Sequence, residues 1–353
     1  MKLPAISVVI SVFNGEKYLA EAVCSILAQS FRHFELIIID DGSVDSTASI
    51  LEEFQRNDPR VRVLKQENRG LVCALNHGCS VARGKYIARM DADDIAMPER
   101  LSLQFDFMEA NPSVGVVGGN VEFMNSEGKP LGFISDFPNR NEEIQRALLQ
   151  TCVIWHPTAF FRRSIFIASG GYRPVKDAED YDLWLRFAEQ SQLANLPTML
   201  LRYRFHKSQI STRNRGRQVL AAVAAQASAL ARRSGQPDPL VQSQEISLEA
   251  VRSMGVSEKT IQTAVARGYL TWIQKACDFG EYTLALEMFA AMRSGSFEDV
   301  ERWIVANCYL EASIACWHLG RHAESAAIFV KSLIIRPATM GRLLKILIRW
   351  ARS

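Results

Sequence analysis

The residues best suited to chemistry are acidic and come in short clusters. Asp91-Ala92-Asp93 follows the apolar run Tyr86 to Met90 and leads into Asp94. Two carboxylates two residues apart at a strand end project to the same side, and hard oxygen ligands of this kind suit Mg2+ or Mn2+ held together with a diphosphate. Asp40-Asp41-Gly42-Ser43 ends another apolar run in the same way. A third segment, Asp177 to Asp182, opens a helical pattern, where anionic side chains are favoured. A D-x-D pair alone fits a solvated acidic turn equally well, so the elements carrying these clusters decide.

Those elements alternate. Ile6 to Phe13 reads as a strand buried on both faces, and Tyr18, Leu19, Ala22, Val23, Ile26 and Leu27 fall at helical spacings. Phe34 to Ile39 predicts a second strand, Ile50, Leu51 and Phe54 a helix, Val61 to Leu64 a third strand, Leu71 to Ala82 a helix and Tyr86 to Met90 a fourth strand. Three strand-helix alternations in the first hundred residues predict an α/β fold with a mostly parallel sheet and helices on both faces. In such sheets ligands gather at the carboxyl ends of the strands, where two of the acidic clusters fall. Val114 to Met124 predicts further strand, Ser164 to Tyr172 a short helix and Tyr181 to Glu189 another.

Beyond about residue 214 the strand signal gives way to Ala-rich and Leu-rich helical patterns, which predicts a first domain at 1–214 and an all-α domain at 215–353. Gly280, Tyr282, Ala285 and Phe289 align with Gly320, His322, Ser325 and Phe329 at an offset of forty residues, and Pro337 follows the second glycine by seventeen. That spacing resembles tetratricopeptide helix pairs. The basic stretch Leu343 to Arg352 fits either an end helix of the repeats or a helix lying on anionic lipid.

The 353 residues, 48% hydrophobic and 22% charged, suit an ordinary globular protein, and a net charge of +3 is too small to argue for nucleic acid. Seven cysteines, odd in number and never in a C-x-x-C pair, read as reduced, cytoplasmic chemistry. Lys2 and the apolar Leu3 to Phe13 read as a first strand, since no small-residue cleavage site follows them. No apolar run reaches the roughly 20 residues of a spanning helix, so a membrane contact would be peripheral, at the inner face.

Read in order, the chain offers Ser11-Val12-Phe13-Asn14, Asp40-Asp41-Gly42-Ser43 and Asn68-Arg69-Gly70. It continues with Asp91 to Asp94 with Met97-Pro98-Glu99-Arg100, Glu179-Asp180-Tyr181-Asp182-Leu183-Trp184, and Tyr203-Arg204-Phe205-His206. This series resembles the inverting family 2 glycosyltransferases of the GT-A fold over about residues 5 to 212. The resemblance implies transfer of a sugar from a nucleotide-sugar donor, a UDP-sugar first, to a hydroxyl of a glycan or glycolipid, as in cell-surface polysaccharide synthesis, with Mn2+ or Mg2+. It implies that Asp41 accepts a hydrogen bond from uracil, that Ser11, Phe13 and Asn14 line the nucleotide pocket, and that Arg69 contacts phosphate. Asp91 then faces the ribose or a metal-bound water, Asp93 holds the metal, and His206 lies near the metal or phosphates within a basic patch of Arg202, Arg204 and Lys207.

Asp180 is implied as the general base, with His156, Glu179 and Trp184 on the acceptor side. Glu179 and Asp182 either raise the proton affinity of Asp180 by like charge or simply favour a helix amino end. A non-catalytic nucleotide-sugar-binding scaffold that recruits a protein partner through its helical tail is the competing reading, and the intact set Asp41, Asp91, Asp93 and Asp180 argues against it.

Overall fold

A computed structural model describes residues 3–206, 215–241, 246–295, 297 and 300–342. The chain divides into two compact units, residues 1–206 with 229–238, and residues 207–228 with 239–353. The expected boundary at 214 and the basic stretch Leu343 to Arg352 lie outside the described residues. Residues 229–238 group with the first unit, where Arg232 pairs with Glu189 at 2.7 Å and Asp238 bonds both Arg232 at 2.8 Å and Arg173 at 2.6 Å.

The first unit is built on one nine-stranded sheet in the order β3-β2-β1-β4-β8-β6-β9-β5, with β7 paired to β6. Its strands are β1 (Ile6–Val12), β2 (Phe34–Asp40), β3 (Val61–Lys65), β4 (Tyr86–Asp91), β5 (Ile95–Ala96), β6 (Val114–Met124), β7 (Pro130–Ile134), β8 (Phe160–Arg162) and β9 (Gln192–Arg204). Interleaved with them are α1 (Leu19–Leu27), α2 (Thr47–Asn57), α3 (Leu71–Val81), α4 (Arg100–Ala110), α5 (Asn141–Leu148), α6 (Arg163–Ala168) and α7 (Glu179–Phe187).

Strands β3, β2, β1 and β4 run parallel, and every residue of β2 is buried, which is why these strands read as unbroken apolar runs. Register puts Ser11 opposite both Ile39 and Asp91, and Val12 opposite Asp40. The carboxyl ends of β1, β2 and β4 therefore form one edge. Strand β8 then pairs antiparallel to both β4 and β6, making the sheet mixed. The long β9 pairs parallel to β6 with register shifts and returns its carboxyl end beside β5, the strand that follows Asp94.

Among its described residues the second unit is helical: α8 (Arg215–Arg233, whose last residues belong to the first unit), α9 (Leu248–Ser253), α10 (Glu258–Asp278), α11 (Tyr282–Arg293), α12 (Arg302–His318) and α13 (His322–Ile335). Ser247 and Ser257 cap α9 and α10 by accepting the amides of Ala250 and Thr260. The aligned glycines occupy equivalent turns: Gly280 between α10 and α11, and Gly320 between α12 and α13, each at φ +74°. Among the described residues no helix is long and apolar enough to cross a membrane.

Candidate active site

The loops after β1 and β2 are laced together. Asn14 adopts φ +53°, so that its amide donates to Ser43 Oγ at 2.9 Å while its Oδ1 accepts the Val44 amide at 2.9 Å. The Gly15 amide donates to Thr47 Oγ1, the Glu16 amide to Asp45 Oδ2, and the Ser46 amide to Glu16 Oε2. Asn14, expected to face the nucleotide, thus commits its oxygen to the neighbouring loop. Ser11 is half-buried at the strand edge and Phe13 is 51% exposed.

Asp41 is 3% exposed and heavily bonded. Its Oδ1 accepts Gln66 Nε2 at 2.7 Å and the Arg69 amide at 2.9 Å, and its Oδ2 accepts the Gly70 amide at 2.8 Å. Gln66 Oε1 in turn lies 2.8 Å from His77 Nδ1. Asp41 therefore draws the loop that starts α3 onto the end of β2, and Arg69 is exposed on that loop.

Asp91, Asp93 and Asp94 bring one carboxylate oxygen each within 4.8 Å of the others. Arg89, two residues before Asp91 on the same face of β4, is 3% exposed and grips both Asp91 oxygens, at 2.7 and 2.5 Å. His206 Nε2 lies 2.9 Å from Asp93 Oδ2. Asp94 is fully buried: Oδ1 accepts the Arg204 amide at 2.9 Å, and Oδ2 has no hydrogen-bond partner among the described residues. Burial, followed by the charges of Asp93 and Asp91, holds the Asp94 carboxyl well above its usual range.

The expected basic patch takes a different form. Arg204 is 2% exposed, with its guanidinium donating to the Asp93 carbonyl at 2.7 Å and to Glu21 at 2.5 Å and lying over the Tyr18 ring. Arg202 pairs with Glu122 at 2.9 Å. Arg204 thus braces the Asp93 loop and is not available to close over a diphosphate; Lys207 lies outside the described residues.

A second cluster gathers His156, Glu179 and Asp180, again within 4.8 Å of one another. Asp180, half-buried at the amino end of α7, has its carboxyl pushed up to about 6, chiefly by burial. Glu179, 7% exposed, is pushed to about 8 by burial and then by Asp180. His156 sits in a 3-10 turn, 8% exposed, with Nε2 2.8 Å from Tyr172 OH, and burial holds it well below its ordinary value. The Arg89 amide donates to Ala159 O just beyond that turn, and the Arg89 charge acts on Asp180, Glu179 and His156. The charge of one buried cation thus acts on both acidic clusters.

Two expectations change. Trp184 is fully buried, packing on Phe161, Phe187 and the His156 ring, so it supports the site from the core and offers no face to an acceptor. Asp182, also fully buried, is neutralised by Arg173 and by Arg186 at 2.8 Å. It anchors α7, and the like charge that acts on Asp180 comes from Asp91. Sequence reasoning left Gln66 and His77 unused and did not see the pairing of Arg89 with Asp91. The period of two along β4 already puts Arg89 beside Asp91.

A search against family models matches "Glycosyl transferase family 2" over residues 7–170. The O-antigen biosynthesis glycosyltransferase WbnJ of Escherichia coli is 34% identical over 210 residues, covering 58% of this chain and 81% of the relative. The chain belongs to glycosyltransferase family 2. It is an enzyme, and the scaffold reading is set aside. Two solved structures share the GT-A fold. One is S. aureus TarS 1–349 in complex with UDP-GlcNAc, with TM-score 0.52 and 16% identity, covering 95% of this chain and 91% of that one. The other is the mannosyltransferase PcManGT from Pyrobaculum calidifontis in complex with GDP-Man and Mn2+, with TM-score 0.53 and 18% identity, covering 95% and 87%. The family match ends at residue 170, so Asp180 and His206 rest on the geometry described above.

Proposed function

We propose that this glycosyltransferase moves a sugar, with inversion at the anomeric carbon, from a nucleotide sugar to a hydroxyl of a glycan or glycolipid. A UDP-sugar is the first choice of donor, and Mn2+ or Mg2+ the metal. The observation that carries the reading is the pair of acidic clusters, one at the strand edge and one at the start of α7, both within reach of the Arg89 charge.

The residues present fit a divalent cation. Three carboxylates converge, one buried oxygen of Asp94 has no hydrogen-bond partner among the described residues, and His206 adds a nitrogen beside Asp93. Asp93, with Asp91 or Asp94 and His206, would hold the metal, which supplies neutralisation of charge on a departing diphosphate. Asp91, held bidentately by Arg89, would present its outer face to the ribose. Asp41 takes the base, while Ser11 and Phe13 line its pocket and Arg69 reaches a phosphate.

Asp180 acts as the base. It takes the proton of the acceptor hydroxyl as that oxygen bonds to the anomeric carbon and the bond from that carbon to the diphosphate oxygen breaks on the opposite face. A single displacement of this kind inverts the carbon. Glu179, whose raised proton affinity keeps it largely neutral at pH 7, can donate a hydrogen bond to Asp180 or to the acceptor. His156, uncharged, packs behind them on the acceptor side. The bound donors named for the two GT-A structures and the O-antigen role named for WbnJ support a nucleotide-sugar donor and a cell-surface glycan product. The second unit, read as tetratricopeptide-like, is a place for an acceptor chain or a protein partner, and action in the cytoplasm or at the inner membrane face fits such a product.

Proton NMR of the first-formed product tests the reading. An anomeric configuration opposite to the donor's, with turnover lost in EDTA and restored by Mn2+, is the expected outcome. Retained configuration would rule out a single displacement through Asp180.

A further inference from the structure

Helix α10 carries a mixed stripe. Arg267, Leu270, Thr271 and Gln274 fall at helical spacings from one another, which puts them on a single face. They line a cavity of about 570 Å3, completed by Trp303 at the start of α12 and by Arg342 beyond α13. Small-molecule sites run from about 300 to 1,000 Å3. Leu270, 5% exposed, gives the cavity an apolar wall, and no acidic side chain is among the described residues that line it.

The carboxylates that orient these groups are outside that lining. Glu301 accepts from Arg267 Nη2 at 3.1 Å and from the Trp303 indole N–H. Glu311, which is buried, accepts from Arg342 Nη2 at 2.9 Å and from Gln274 Nε2 at 3.2 Å. Each guanidinium thus gives one N–H to a carboxylate and keeps the rest of its fork, and Gln274 keeps its amide oxygen. Thr271 Oγ1 donates to the Arg267 carbonyl at 3.0 Å, so its lone pairs are left to accept. Arg267 lies 5.8 Å from the Trp303 ring centroid, so cation and ring share one wall.

We propose that this cavity binds an anionic sugar of the acceptor glycan, its carboxylate or phosphate taken by Arg267 and Arg342 and one face of its ring laid on Trp303. An indole covers the C–H face of a pyranose, while sugar hydroxyls need partners that accept as well as donate, which Gln274 and Thr271 supply. A guanidinium fork matches a carboxylate or phosphate. The Arg267–Glu301 pair is about half-exposed on both sides, so a ligand anion displaces Glu301 at little cost. The proposal rests on the reading of the chain as a transferase onto a glycan and gives that acceptor a charge and a second place to be held.

Calorimetry on the full chain without nucleotide tests it, with melting temperatures recorded alongside. The titrants are a tetrasaccharide of alternating glucuronic acid and N-acetylglucosamine, a phosphorylated maltotetraose, and neutral chitotetraose. One of the anionic chains should bind about tenfold or more tighter than the neutral one, and which of them does so tells carboxylate from phosphate. Arg267→Gln and Arg342→Gln should each cut that preference about fivefold, and Trp303→Ala should weaken the anionic chain about tenfold. Should Arg342→Gln fold poorly, Arg267→Gln, at a half-exposed position, carries the test alone. No preference, or one that survives the arginine variants, would overturn the proposal, since the arginines would then only tie helices together. Capture of anionic phospholipid vesicles, or of a second equivalent of UDP, that is lost in Trp303→Ala would assign the cavity to lipid or nucleotide and overturn it as well. Turnover of a nucleotide sugar in Mn2+ on the same samples reports on the transferase reading separately, and its absence with glycan binding intact would count against that reading alone.

Discussion

Two adjacent carboxylates, Glu179 and Asp180, take up protons over different ranges because Glu179 is the more deeply buried and feels the charge of Asp180. With Asp180 pushed up to about 6, the base is ionised and active above that pH and protonated below it. The kcat/KM profile should therefore fall away on its acidic side near pH 6, about two pH units above the range of an ordinary aspartate, which a pH–rate series will read. Arg89 is the counterpart. Arg89→Met leaves Asp91 without its bidentate partner at the strand edge, and a loss of about 1–3 kcal/mol in urea unfolding is expected. Much of this was legible as residue types, since Asp91, Asp93 and Asp180 stand in recognisable strings. Trp184 misled because a spacing of four puts it on the same helix face as Asp180. One turn further in, that face meets Phe161 and Phe187 instead of solvent.

At the scale of elements, the loops matter more than the strands they join. Gly42 holds φ +80°, and a Cβ there would meet the Asn68 amide nitrogen at 2.7 Å. Gly42→Ala should cost about 2 kcal/mol or more by denaturant titration and weaken nucleotide binding with it, because Asn68 belongs to the loop that Asp41 gathers. The strands β1 to β4 and helices α1 to α3 were readable from hydrophobic period, since parallel strands buried on both faces are continuous apolar runs. Strands β8 and β9 were not. Three residues of β8 carry no period, and β9 is interrupted by Pro197 and polar residues because it pairs with register shifts. Missing β9 hid why Arg204 and His206 come back to Asp93, although the string Tyr203 to His206 pointed there.

For the whole molecule, the sequence divides as its composition does, into a sheet-bearing unit and a helical one. The forty-residue repeat is visible in both because a helix-ending glycine is needed twice: Gly280 and Gly320 both hold φ +74°, with open space where a Cβ would sit. With no clash to add, Gly320→Ala should cost only the left-handed penalty, about 1–2 kcal/mol, seen as a lower urea midpoint for the helical signal. Residues 229–238 group with the first unit through Arg232 and Asp238, which pair with Glu189 and Arg173, contacts that their helical pattern does not announce.

The account depends on Asp180 taking the acceptor proton while the other carboxylates hold the donor. Turnover of Asp180→Asn at a donor concentration that saturates the wild type tests this most directly, with UDP affinity measured on the same sample. The account predicts a fall of about 100-fold or more with UDP affinity within about twofold of wild type. Turnover above about a tenth of wild type would contradict it, because a chain that transfers sugar without that carboxylate has its base elsewhere.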